Sequence, residues 1–449
     1  MPMAGRWTLI VFCAALIAWV NLDVSDTAVA LLAALALVVP GVVDENLLFQ
    51  SLGNDIIWLL IAAFVIASVL SRSGIAGRLA SRCVARCGRV SSVFWTITLV
   101  TASTAFLIPS TSARAAIMLP LFMALAEVIG RPRVTRALSL LFPSVILLSA
   151  GASLTGAGAH LVAMDFMAKF SHEEIGFVRW AMLAGPFALL TSLISCALIQ
   201  WLFLSREDRS APLGELAIPG PAASASTPAV IAIMVLTIGL WITSPLHGQS
   251  MAIIALVSAL ALSTPAVSGV SLKTALKDVE WGLLLFMAST LMLGQALMTS
   301  GAITYITEHV LARMLTGPQR PAAWLVITLT ALIASLAHLL ITSRTARASV
   351  LIPAVAFPLA ATGVNPVTLM LVITLGTGFC QTLPVSAKPV ALFSSAVEGG
   401  FEKPDLLRLA TILLPIFMGL LIVLAIFIWP LLGLPVDSDW MGPVSMENR

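Results

Sequence analysis

Two short polar segments of this chain are near copies of one another, and each interrupts an apolar run long enough to enter a membrane. Pro109-Ser110-Thr111-Ser112-Ala113-Arg114-Ala115 is the first and Thr342-Ser343-Arg344-Thr345-Ala346-Arg347-Ala348 the second, with Pro120 and Pro353 at the same offset beyond them. Hydroxyl and guanidinium groups are costly at membrane depth and tend to mark substrate or ion pathways there. A duplicated, cationic, hydroxyl-rich interruption points to an anion bound between two halves of one molecule.

Composition narrows the fold class. Of 449 residues, 59% are hydrophobic and only 10% charged, too little charge for a soluble domain of this length. Apolar stretches of spanning length recur throughout, so the chain reads as an all-α polytopic membrane protein embedded in the lipid bilayer. A net charge of +3 implies no nucleic-acid partner. Cys13, Cys83, Cys87, Cys196 and Cys380 are too scattered for a disulfide framework. Cys83 and Cys87 share a helix face with no further ligand nearby, and read as small interfacial residues rather than a metal site. Arg6 precedes an apolar run to Val20 that reads as a first span and not as a cleaved signal.

Apolar segments fall at about 8–22, 27–43, 55–71, 91–130, 138–165 and 178–204, and recur at about 228–244, 250–263, 282–299, 322–362, 366–395 and 407–434. The pattern divides the chain into a first repeat 1–204, a polar linker 205–227, a second repeat 228–435 and a tail 436–449. Asp55-Ile56-Ile57-Trp58 matches Asp278-Val279-Glu280-Trp281, and Ser73-Gly74 matches Ser300-Gly301, as expected of an internal repeat. Segments 91–130 and 322–362 read as hairpins whose tips lie inside the membrane. Segments 138–165 and 366–395 are broken by Ser153 to His160 and by Gln381 to Pro389. Irregular backbone survives at that depth only where protein or a wet cavity covers it, and paired broken segments point to a transporter's binding site.

Arginines set the expected orientation. Arg72, Arg78, Arg82, Arg86 and Arg89 crowd 72–89 without an acid, and Arg131, Arg133 and Arg136 follow; both stretches belong in the cytoplasm. The matching stretch 302–320 holds Arg313 and Arg320 beside Glu308 and fits the outside. Five spans per half, each hairpin returning to its own side, make the repeats inverted and put both termini outside.

No Asp or Glu occurs in 91–126, 138–164 or 321–397, yet these stretches carry Arg114, Arg344, Arg347 and Lys388. Unpartnered buried cations cost several kcal/mol, so they either snorkel to an interface or meet a bound anion. Arg114 and Arg347 each fall in the first turn of the helix after a tip, where free amides and the helix dipole favour negative charge. Arginine's planar fork suits carboxylates. Ser110, Thr111, Ser112, Ser343 and Thr345 supply hydroxyls, which serve as caps, ligands or both. Ser153, Ser386 and Lys388 lie in the breaks and read as further lining. His160 and His338 read as hydrogen-bonding residues between helices. Trp58 and Trp281 read as interface anchors. Gly151, Gly156 and Gly158 permit close approach of ligand or helix.

At these residues the chain resembles the divalent anion/sodium symporter family of the ion transporter superfamily, which includes bacterial dicarboxylate, citrate and sulfate carriers. That family carries a Ser-Asn-Thr motif at each of two opposed hairpin tips. Ser110 to Arg114 and Ser343 to Arg347 stand in those places, and Arg114 is similar to an arginine found after the motif in some exchangers. The resemblance implies an elevator-type transporter of the inner membrane whose scaffold forms a homodimer. It also implies sodium coupling, but the family's two asparagines are Thr111 and Arg344 here. Thr111 remains a candidate sodium ligand, whereas Arg344 places a positive charge where a second sodium would sit.

The sequence-based expectation is a secondary transporter of a small di- or tricarboxylate, working by symport or antiport. An inorganic oxyanion such as sulfate is the alternative substrate. No catalytic residues and no cofactor other than sodium at the first-half site are expected, because no Ser/His/Asp set, carboxylate pair or metal-ligand cluster lies at membrane depth.

Overall fold

Every apolar segment forms helix, because a chain in lipid must satisfy its backbone groups internally. The computed structural model describes residues 1–22, 24–108, 110–171, 173, 175–213, 227–309 and 321–437. Pro109, Arg313, Arg320, most of the linker and all but the first residues of the tail lie outside that set. Among the described residues no extended strand occurs, and seven helices are long and apolar enough to cross a membrane.

The first half contributes α1 (Met3–Asn21), α2 (Asp26–Val38), α3 (Asp55–Ser73), α4 (Val90–Ser103), α5 (Thr111–Ile129), α6 (Pro132–Ser149), α7 (Gly158–Phe166) and α8 (Phe177–Phe203). The second contributes α9 (Thr227–Ile242), α10 (Met251–Leu262), α11 (Trp281–Thr299), α12 (Ala323–Leu336), α13 (Arg344–Leu351), α14 (Pro366–Gly376), α15 (Lys388–Ser394) and α16 (Lys403–Val423). Element for element, the second series repeats the first. The hairpins are α4–α5 and α12–α13, and the broken segments are α6–α7 and α14–α15. After α3 and α11 the chain turns at Gly74 (φ 64°) and Gly301 (φ 78°), a left-handed conformation that glycine reaches without a Cβ penalty. Four arginines mark the stretch from Gly74 to Arg89, where Arg78 and Arg82 ride on a short helix, Ile75–Val84.

The halves exchange partners reciprocally. Helix α3 packs on α10, and α11 packs on α2. Each hairpin's entering helix packs on its own broken segment and last span: α4 on α6 and α8, α12 on α14 and α16. At the centre the exchange crosses over, since α5 packs on α15 and α13 packs on α7. Apolar residues fill the first crossing: Phe122 of α5, Phe142 of α6 and Phe393 of α15 lie with ring centroids 5.3–5.7 Å apart. Phe166, at the end of α7, meets Phe357 beyond α13 at 5.6 Å in the second. Such aromatic pairs add about 0.5–1.5 kcal/mol each beyond their burial, and they fix the C-terminal ends of the half-helices, away from the breaks.

Candidate functional site

Four helices begin at one place. Ser110 and Thr111 (start of α5), Ala157 and Gly158 (α7), Ser343 and Arg344 (α13), and Ala387 and Lys388 (α15) all line a cavity of about 410 Å³. Amides in the first turn of a helix lack intrahelical acceptors, and the dipole makes that end positive. The hairpin tips are capped alike: Ser110 Oγ accepts from the Ala113 amide and Ser343 Oγ from the Ala346 amide, both at 3.2 Å. The starts of α7 and α15 have no side-chain cap; Ala157 and Ala387 enter them in matching extended conformations. Thus two of the four N-termini meet the cavity with alanine at the cap.

Of the residues singled out from sequence, Ser110, Thr111, Ser112, Ser343, Arg344, Thr345, Ser386 and Lys388 line this cavity. Arg114, Arg347 and Ser153 do not. Arg114 is wholly buried. It donates to Thr104 Oγ1 (3.0 Å), the carbonyls of Thr101 (2.6 Å) and Ile146 (2.9 Å), and Ser149 Oγ (2.7 Å). Arg347, equally buried, donates to the carbonyls of Ile341 (2.6 Å), Thr342 (3.1 Å) and Thr377 (2.8 Å) and to Cys380 Sγ (2.7 Å). Each staples the descending arm of its hairpin to the end of the half-helix beside it. Sequence offered snorkelling or a bound anion as the partner of these cations, and the fold supplies a third. Carbonyls at helix ends are orphaned acceptors at the negative pole of a dipole, which no count of Asp and Glu reveals. Ser153 Oγ pairs with Thr155 Oγ1 at 3.1 Å beneath the break.

Arg344 differs. Its Nη2 donates to His160 Nε2 at 2.9 Å and, at 3.5 Å, to the Thr374 carbonyl, while its Nε and Nη1 are buried without a protein partner. A Cβ on Gly378 would stand 2.9 Å from Arg344 Nη2, so that glycine makes the room in which the guanidinium lies. Lys388 is more open, with its Nζ 3.8 Å from Glu280 Oε1. His338 bridges the Ser335 carbonyl and Thr382 Oγ1, both at 2.7 Å.

Two acids at the cavity escaped the sequence reading. Asp26 begins α2 and engages the Ser343 hydroxyl, and Glu280 precedes α11. The stretches without acids end far from both in sequence, and only tertiary packing brings them in. The Ser25 cap before Asp26 signals a helix start, but nothing in the sequence places that start beside Ser343. Beyond the polar floor the wall is apolar, from Leu60, Phe64, Leu147 and Leu283.

The sequence and the fold have counterparts among known proteins. A family model described as a citrate transporter matches residues 7–319. The chain belongs to the citrate transporter family. It is a multi-pass membrane transporter and not an enzyme, and the resemblance to the divalent anion/sodium symporters agrees with its relatives. One is the sodium-dependent dicarboxylate transporter SdcS of Staphylococcus saprophyticus, 22% identical over 94% of this chain and 85% of that protein. Another is dicarboxylate transporter 1, chloroplastic, of Spinacia oleracea, 26% identical over 68% of this chain and 56% of that one. Among solved structures, the YdaH transporter of Alcanivorax borkumensis superposes with a TM-score of 0.63 at 13% identity, covering 96% of this chain and 100% of that one. MtrF of Neisseria gonorrhoeae gives 0.64 at 12% identity, covering 99% and 98%. At such identities these two speak for the fold alone.

Proposed function

We propose that this citrate transporter family member carries a small di- or tricarboxylate, bound in the cavity where the four helix starts converge. The convergence carries the reading: four positive helix ends, six hydroxyls from Ser110, Thr111, Ser112, Ser343, Thr345 and Ser386, and two cations, the exposed Lys388 and the unsaturated Arg344, meet at one space. Oriented amides and a charged fork are what carboxylates select, and the volume is ordinary for a small-molecule pocket. Arg344 is the cation with donors to spare, so it meets one carboxylate, and Lys388 meets a second. Arg114 and Arg347 act from beneath, by fixing the hairpin tips.

The names of SdcS and the chloroplast relative support a dicarboxylate-like cargo. SdcS also motivates sodium coupling, for which Thr111 at the first-half tip is the fitting position. The second-half position does not fit, because the Arg344 guanidinium lines the cavity instead of turning away from it. An elevator motion of the hairpins, with the first tip reached from the cytoplasm and the second from outside, gives such a site access to each side in turn.

Uptake into proteoliposomes tests this. Radiolabelled succinate, citrate and sulfate are compared, with and without a sodium gradient and with and without internal substrate. Saturable carboxylate uptake that unlabelled sulfate does not inhibit supports the reading. Sulfate uptake competing equally with carboxylate overturns the substrate class. A Hill coefficient for sodium near two overturns the single-sodium arrangement, since that coupling needs differential binding of two ions between states.

A further inference from the structure

His160 sits at the seam between the two halves, wholly buried, in the first turn of α7. Its Nδ1 lies 2.9 Å from the Ser153 carbonyl, and its Nε2 lies 2.9 Å from Arg344 Nη2. A guanidinium has no acceptor, so Nε2 must be the unprotonated nitrogen and Nδ1–H must donate to Ser153. The tautomer is therefore fixed by its two partners. The ring is packed as well: its centroid is 5.0 Å from that of Trp180, the planes tilted by 35°, and the Trp180 indole donates to the Gly151 carbonyl at 3.0 Å. The Ser153 carbonyl of the break and the Trp180 ring of α8 thus orient one acceptor lone pair at one arginine of the second-half tip.

The repeat shows that this is no generic packing device. The matching half-helix α15 begins alike, with a short 3-10 turn and an extended alanine before it, but its equivalent position is Val390. At the other tip Thr111 takes the place of Arg344, so there is no guanidinium to hold. Histidine and arginine occur together in one half-site, and neither occurs in the other.

We infer that His160 is a positioning residue for anion recognition: it takes up Arg344 Nη2 at the cavity wall and leaves the buried, unpartnered Nε and Nη1 for the cargo. This rests on the reading of Arg344 as the anion's partner. A long side chain left without such a tether keeps several rotamers, and ordering them on binding weakens affinity. With the tether, the fork is already aimed. The effect belongs to binding and not to the translocation step, so it should be read in KM and not in Vmax.

Initial-rate uptake of radiolabelled citrate and succinate by reconstituted variants tests the inference, with melting in detergent as the check of folding. His160→Phe keeps an aromatic ring against Trp180 but offers no acceptor. It should raise KM about tenfold, the effect expected of one hydrogen bond to a charged group, with Vmax within about threefold. His160→Gln can place Oε1 near the position of Nε2 and should bring KM back to within about threefold of the parent. His160→Asn, whose amide falls short of Arg344, should behave like the phenylalanine. In an Arg344→Ala background the phenylalanine substitution should have no further effect on KM.

Equal KM values for the glutamine and asparagine variants, or a phenylalanine effect of the same size with and without Arg344, overturn the positioning role. If Arg344→Ala leaves no uptake to measure, the glutamine–asparagine contrast decides alone, and it decides too if the phenylalanine variant does not fold. If Arg344→Ala itself leaves KM unchanged, the anion-binding reading of Arg344 fails, whatever His160 does.

Discussion

The two hairpin tips share a backbone and differ in charge. Both begin with a serine cap at the same 3.2 Å, and both carry a buried arginine three residues after the first helical position. Yet the first helical residue is Thr111 in one and Arg344 in the other. The half-helices repeat the contrast, since Gly158 opens α7 and Lys388 opens α15. Duplication preserved what the fold needs, the cap and the staple, and the second half alone gained cations that face the cavity. A pseudo-symmetric scaffold thereby holds an unsymmetric site, in which both cavity-lining cations, Arg344 and Lys388, come from the second half.

The sharpest break between the shared and the divergent parts is between Arg114 and Arg347 on one hand and Arg344 on the other. Arg114→Leu or Arg347→Leu should each lower stability by about 3 kcal/mol or more, because several buried acceptors lose their donor at about 1–3 kcal/mol apiece. Loss of monodisperse protein and a lowered melting temperature in detergent would report it. Should either variant fold normally and lose only affinity, the staple assignment is wrong and that arginine meets the anion after all.

Next in size, Arg344→Ala should cut kcat/KM for the carboxylate by about 100-fold while the protein stays folded, as for loss of a charge-assisted contact. Thr111→Ala should cost about tenfold or less. Equal losses at the two tips would mean that the halves contribute symmetrically despite their chemistry.

Glycine substitutions probe the same asymmetry more gently. A Cβ on Gly378 meets the Arg344 guanidinium at 2.9 Å, whereas on Gly158 it meets Thr345 Oγ1 at 3.0 Å. The Gly378 Cβ also stands 2.8 Å from the Leu375 carbonyl, so Gly378→Ala should displace both the backbone there and the arginine, raising KM about tenfold in uptake measurements on protein whose melting in detergent shows it folded. Gly158→Ala presses on a hydroxyl that has room to rotate, and should change KM by about threefold at most. A larger effect at Gly158 would shift the weight of recognition to the first half.

The smallest effect is expected at the rim. Arg72 and Asp278 join α3 to the turn before α11 at 2.9 Å, with both side chains more than 40% exposed. Such pairs contribute about 0.2–1 kcal/mol. The Ser68 hydroxyl and the Arg72 guanidinium together hold the Asp278 carboxyl below its usual range. Its stabilising contribution is therefore complete above the ordinary carboxylate pKa and fades only as pH falls through the lowered one. Arg72→Ala should shift the melting temperature by a degree or two at neutral pH and by less in acid.

The helical spans, the duplicated hairpins and the paired breaks were legible in the sequence, because each leaves a local trace. Apolar length exposes a span, and a proline-bounded or hydroxyl-rich interruption exposes a break. The repeated Ser-x-x-x-Arg pattern told where the tips lie, and eight of the eleven residues proposed from the tips and breaks line the cavity. It could not tell which of the three arginines lines that cavity, since all carry the same side chain.

What separated them is direction. Arg114 and Arg347 stand four residues after their serine caps and turn back to the carbonyls of the preceding turn and of the neighbouring half-helix. Arg344 stands one residue after the cap and reaches His160 across the seam. Asp26 and Glu280 entered the site from helices distant in the chain. Sequence alone determined that this protein spans a membrane as two like halves with polar interruptions, since hydrophobicity and periodicity are properties of contiguous residues. Which cation lines the cavity, which is consumed by helix-end carbonyls and which acids stand beside it were decided by packing, because electrostatic and hydrogen-bond partners are chosen by distance in space and not along the chain.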